Sequence, residues 1–322
     1  MKSLIKRIKQ RLGGRGASRE TSRVVVAAFG KHPGWDDHMD DIGLETPALV
    51  AIKRVLYVQG IGKNIDNGKW AELESKQSDT EFGHTFVWCR DDDIIAGRLW
   101  PSRDGRGRAS YPMVVCMHCR QVPLQWVYDC VLPHLAHLET ECRGGTASTV
   151  RACLSACREG LQKALDTSDS FEQELPGKAD LIGRLTHLPD NEGLIRILYH
   201  IDREMSVGLV SSVGPGGSEH SAHARVPASS SGTAETPILW TRLLLNEYGR
   251  QAGVLIVMPH QGSWLDIIVG EPCPEQLYCL RASTDALPLT NTVPYKIDRD
   301  SANKLRQQAG ISEAHGSPDR AP

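Results

Sequence analysis

FGHTFVWCRDDDIIAGRLW, residues 82–100, decides the fold. Phe82 to Cys89 and Ile94 to Trp100 are rich in aromatic and β-branched side chains, and the acidic turn Arg90-Asp91-Asp92-Asp93 between them is too polar to continue either run. That pattern predicts two antiparallel strands joined by a tight turn. Tyr111 to Met117 predicts a third strand after a long loop, which makes a meander. Upstream, the apolar run Val24-Val25-Val26-Ala27-Ala28-Phe29 ends at Gly30, the pattern of a strand buried on both faces. Downstream, Val254 to Met258 and Trp264 to Val269 pair around Pro259-His260-Gln261-Gly262, and their late position predicts that they return to the first sheet.

Helical periodicity fills the gaps. Thr46-Pro47 supplies an N-cap and a first-turn proline for a helix that places Leu49, Ile52, Val55 and Leu56 on one side, and a second short helix surrounds Trp70 and Leu73. From Pro123 the apolar spacing of Trp126, Val127, Val131, Leu135 and Leu138 is helical, with Pro133 expected to kink or split the element. Val150, Cys153, Leu154, Cys157, Leu161 and Leu165 form an unbroken stripe, and Leu194, Ile197, Leu198, Ile201 and Met205 another. The expected fold class is therefore α/β: a mixed or largely antiparallel sheet with helices packed on both faces, a three-layer α/β/α arrangement.

The 322 residues carry 37 Lys and Arg against 39 Asp and Glu, a net charge of −2 that implies no global attraction to nucleic acid. The average conceals a basic tail. Residues 1–23 hold eight basic side chains against Glu20, and Met1, Leu4, Ile5, Ile8 and Leu12 repeat at helical spacing. Residues 1–12 thus read as a basic amphipathic helix able to rest weakly on an anionic membrane surface, and 13–23 as a linker. The expected organisation continues with one domain over 24–205, a disordered Ser-, Gly- and Ala-rich loop over 206–236, strands and a helix over 237–286 completing the same domain, and a polar tail over 287–322 that frays from about Gly310. No apolar run reaches the roughly 20 residues that cross a bilayer. A cytosolic protein is expected, peripheral at the inner membrane if the tail binds, with most of the nine cysteines as buried thiols.

Two clusters can carry chemistry. Residues 30–41 follow the first strand and concentrate His32 and His38 with Asp36, Asp37, Asp40 and Asp41; imidazoles with hard oxygen ligands could hold a divalent ion, with His32, Asp36, Asp37 and His38 as the set. The blander outcome is an acidic turn whose carboxylates pair with arginines. The second cluster, residues 97–112, holds Arg98, Arg103, Arg106 and Arg108 among Gly, Pro and Ser, so Arg98, Arg103 and Arg106 could clamp an anion through forked guanidinium contacts. Its architectural reading has Gly107 relaxing a turn, Asp104 capping it and Arg108 bracing Asp36 or Asp37. Cys116-Met117-His118-Cys119 lacks the second ligand pair of a zinc site.

Gly30, Lys31, Pro33 and Asp36 or Asp37, followed by Pro101, Ser102, Asp104, Gly107, Arg108, Tyr111 and Pro112, resemble in motif and order the TagF family, also called ImpM or SciT, accessory proteins of the bacterial type VI secretion system. Leu239-Trp240 and the strand pair around Pro259-His260 extend the resemblance. It covers residues 24–120 and, loosely, 238–270; where the family has a Gly-Asp-Phe-like step, this chain has Gly34-Trp35-Asp36-Asp37-His38. The resemblance implies a three-layer α/β domain without catalysis or cofactor, which restrains assembly of the secretion apparatus through protein contact, with a forkhead-associated scaffold protein as partner. The competing expectation is a metal-dependent hydrolase acting on a phosphate-containing substrate.

Overall fold

The computed structural model describes residues 24–76, 79–167, 177–186, 190–211, 221–228, 234–294 and 296–309. The basic helix and linker expected over 1–23, and the tail beyond 309, lie outside the described residues.

Seven strands form one sheet: β1 (Val24–Gly30), β2 (His84–Arg90), β3 (Asp93–Trp100), β4 (Met113–Arg120), β5 (Ala222–Pro227), β6 (Val254–Pro259) and β7 (Trp264–Val269). Their order is β1-β4-β3-β2-β6-β7-β5 and every pairing is antiparallel. The meander β2-β3-β4 is the one legible in residues 82–117, and the late strands return to it, with Phe86 opposite Val257. Asp91 at φ 51° makes the tight β2–β3 turn, a left-handed conformation that aspartate tolerates.

Helices cover both faces, because every strand alternates two apolar sets. Val25, Ala27, Phe29, Phe86, Trp88 and Val257 meet Leu49, Ile52, Leu56 and Trp70 from α1 (Pro47–Ile52), the π-helical stretch Lys53–Gly62, α2 (Lys63–Asp66) and α3 (Lys69–Ser75). On the other face Val24, Val26, Ala28, Val115 and Met117 lie under Leu135, Leu138, Val150, Leu154 and Leu161. Those residues belong to a helix that starts as α4 (Leu124–Trp126), widens to a π-helical turn over Val127–Val131 and continues as α5 (Leu132–Cys142), and to α6 (Ala147–Asp166). Pro133, which has no N–H to give, falls in the first turn of α5 directly after the widened turn. The rest of that face, Ala222, Ala224, Ile256 and Ile267, is covered from α7 (Lys178–Leu185), α8 (Asp190–Ser211) and α9 (Glu235–Tyr248) by Leu181, Ile182, Leu194, Ile197 and Trp240. Each buried leucine of these sets contributes roughly 1.5–3 kcal/mol. Gly97 admits the Phe86 ring: a Cβ there would stand 2.2 Å from Phe86 Cζ.

Two sequence expectations are corrected. Residues 206–236 are not one disordered loop throughout: α8 runs to Ser211, 222–227 form edge strand β5, and α9 begins at Glu235, while 212–220 and 229–233 lie outside the described residues. Averaging over a Ser- and Gly-rich window hid the short alternation of Ala222, Ala224 and Val226, whose burial against α8 and α9 offsets the ordering entropy. Nor is 287–322 wholly a polar tail, since α10 (Arg299–Ala309) packs on α7 and α8 with Ala302 buried. Its charged faces hide a narrow small-residue contact.

Candidate functional site

The two sequence clusters meet at one end of the sheet. Gly30 ends β1 at φ 117°, where a Cβ would sit 2.3 Å from the Pro112 carbonyl oxygen, so the chain can turn against Pro112 only because the residue is glycine. Lys31 N–H then donates to that carbonyl at 3.2 Å, and Gly105 N–H to the Trp35 carbonyl at 2.7 Å. These backbone bonds hold the 30–41 and 101–112 loops side by side.

Asp104 is the hub. Its side chain is fully buried; Oδ1 accepts the N–H groups of Arg106 and Arg108, each at 3.0 Å, and Oδ2 accepts Lys31 Nζ at 2.8 Å and Arg108 Nε at 2.7 Å. Gly107, at φ 82°, makes the turn that brings Arg108 back. Lys31 Nζ also donates to Asp37 Oδ1 at 2.6 Å, which Arg108 Nη2 approaches to 3.1 Å. Two cations and two carboxylates form a closed, neutral square. Burial alone would raise the Asp104 carboxyl, but the bonds from Lys31 and Arg108 hold it well below the carboxylate range. The Lys31 bond lowers Asp37 to about 2. Burial would lower Lys31, yet its two carboxylates win and raise it, so the ammonium stays charged. Of the two aspartates expected to meet Arg108, Asp37 does so through its carboxylate and Asp36 only through its carbonyl oxygen, at 3.0 Å.

The metal reading of this loop fails on its histidines. His32 is buried, its Nε2 bonded to the Cys142 carbonyl at 2.7 Å and its Nδ1 accepting Gly34 N–H at 2.9 Å; both ring nitrogens are engaged by one neutral tautomer. His38 bends to Asp37 and lies edge-on to Tyr111 with ring centroids 5.1 Å apart. Among the described residues the one group of three candidate ligand atoms is elsewhere, at His223, Asp266 and Cys279. There Asp266 already holds Arg225 in a fork, Nε to Oδ1 and Nη2 to Oδ2, each 2.9 Å, so a guanidinium occupies the cation's place.

The anion clamp is also revised. Arg98 does not join Arg103 and Arg106; it lies on β3 with Nε 2.6 Å from buried Glu139 Oε2, and its Nη1 donates to Thr85 Oγ1 at 3.2 Å. A β-strand turns alternate side chains to opposite faces, and Arg98 points under α5 while the loop arginines follow the strand's end. Arg103 and Arg106 are exposed, and their side chains make no hydrogen bond or ion pair among the described residues. Pro33 and Pro101 are exposed, Ser102 is half-buried and Pro112 is buried. Cys116 and Cys119 face opposite sides of the sheet, so they cannot share an ion, while His118 bridges Thr46 and Asp93.

Sequence reasoning missed three participants. Glu139 bridges Arg98 and Arg143, and its position on the apolar stripe with Leu135, Leu138 and Cys142 was the available signal: an acid there needs a cation. His260, pushed down to about 4 by burial and by Arg98, shares Thr85 Oγ1 with that arginine. Arg225 was hidden in the supposed loop.

No family model matches the chain, and no curated protein does. Among solved structures it is similar to the crystal structure of PA0076 from Pseudomonas aeruginosa PAO1 at 2.05 Å resolution, with 16% identity and a TM-score of 0.30 over 46% of this chain. The match spans 64% of that chain's length.

Proposed function

We propose that the chain is a non-enzymatic regulatory protein acting by protein contact, an accessory of a type VI secretion-like system as the sequence resemblance implies. The observation that supports this reading is the closed square of Lys31, Asp37, Asp104 and Arg108: the residues carrying the resemblance bind each other. A lysine locked between two carboxylates is no nucleophile, and carboxylates held this far down are no general acid at neutral pH. What the square does is stiffen the 101–112 loop and present Arg103 and Arg106 to solvent, where arginine is well suited to a protein interface.

The partner in this reading is a forkhead-associated scaffold, met in the cytosol. Calorimetric titration of the purified chain with the scaffold protein of its own host tests it. Saturable binding is expected. Absence of binding, together with turnover of p-nitrophenyl phosphate that survives purification and disappears with chelator, would replace the contact reading with the hydrolase.

A further inference from the structure

A cavity of about 160 Å³ opens between α7, α8, α9 and α10, remote from the loops at the sheet end. Its floor is apolar, with Ile182, Leu243 and Leu305 among the lining groups. Two ionic features stand around it. Lys178 and Glu247 are bonded to each other and so neutralise one another. Asp202 on α8 and Lys304 on α10 also line it, yet neither side chain forms an ion pair or hydrogen bond with any described residue.

We infer that this cavity binds a small zwitterion with an apolar side chain, a free amino acid of the leucine type, its ammonium on Asp202 and its carboxylate on Lys304. The alternatives fit less well. A simple anion meets Lys304 but is repelled by Asp202, a simple cation meets the reverse, and a neutral apolar molecule uses neither charge. A zwitterion satisfies both while its side chain restores the dispersion contacts that the leucine-lined floor lacks. The Tyr248 phenol, pushed up by burial and by Asp202, stays protonated at the same wall. Because α10 supplies Lys304 and Leu305, the ligand would fasten this helix to the rest of the layer.

The test uses the full chain with L-leucine, hexanoate and hexylamine as probes, followed by titration calorimetry and thermal unfolding. The expected result is saturable L-leucine binding with a midpoint that rises with concentration. Asp202→Asn and Lys304→Gln should each weaken binding about tenfold, the order expected for a charge-assisted bond. Both replaced side chains are exposed, so the variants should fold. No L-leucine binding at millimolar concentration, unchanged affinity in both variants, or hexanoate or hexylamine binding as tightly as L-leucine would overturn the inference. None of these outcomes bears on scaffold binding, which is measured separately.

Discussion

Lys31 Nζ lies 2.8 Å from Asp104 Oδ2 across a sequence separation of 73 residues, and this bond ties the end of β1 to the β3–β4 loop. Removing the carboxylate leaves a buried ammonium facing only Asp37 and frees the N–H groups of Arg106 and Arg108. Asp104→Ala should therefore lower the thermal midpoint by roughly 5–10 °C. Lys31→Met combined with Asp104→Ala should cost less than the two single changes added together. Additive effects in scanning calorimetry would show that the pair is not coupled.

Arg225 clasps the segment after β7 to the sheet edge. Besides the Asp266 fork, its Nη1 donates to the carbonyls of Ala282, Ser283 and Leu287, and its Nη2 to that of Cys279. Arg225→Met should destabilise by about 3–5 kcal/mol in urea unfolding, because Asp266 is left buried without its main partner. Arg225→Lys should recover little, since an ammonium cannot reproduce the fork. The segment 279–290 should become the first site cut by protease in either variant.

Acid sensitivity should begin with the imidazoles held neutral, His84 and His260 among them, and continue at lower pH with Asp37. Burial pushes His84 down from 6.5 to about 3, so the native state holds it neutral while the unfolded chain takes up a proton below 6.5. Its stabilising contribution is complete above pH 6.5 and falls by about 1.4 kcal/mol per unit as the pH drops from 6.5 towards 3. Asp37, lowered from 3.8 to about 2, contributes fully above pH 4 and is lost as the pH approaches 2. Urea midpoints measured from pH 7 to 4 should slope downward in the native chain and be flatter in His84→Gln. An unchanged slope would assign the effect to other groups.

Arg103 and Arg106 are the cations left over from the square. If the sheet end is the contact surface, Arg103→Glu with Arg106→Glu should weaken scaffold binding at least tenfold, mostly through slower association, and should reduce its salt dependence. The thermal midpoint should stay within about 2 °C, as both side chains are exposed. Unaltered affinity would move the contact surface elsewhere on the molecule.

Strand patterning made most of the sheet legible, since period-two alternation in 82–100 and the apolar run of 24–29 leave few alternatives. The square was half legible: Lys31, Asp37, Asp104 and Arg108 were named from the sequence, but which aspartate would meet Arg108 depends on a turn set by Gly30 and Pro112. Arg98 was misassigned because it lies within β3, where it turns to Glu139, whereas Arg103 and Arg106 lie in the loop beyond the strand's end. β5 escaped notice because alanines carry little hydrophobic signal, and their burial depends on helices that come from elsewhere in the chain. Arg225 escaped with it.

β2 stands at the middle of the sheet with β3 on one side and β6 on the other, yet Phe86 and its partner Val257 leave the ribosome far apart in time. During synthesis the β1–β4 half can assemble while one flank of β2 keeps its amides unmatched until residues 254–259 emerge. The nascent chain should therefore carry an open strand edge for much of its synthesis, and its yield in a foreign host should depend on translation speed and chaperone supply more than on the stability of the finished fold.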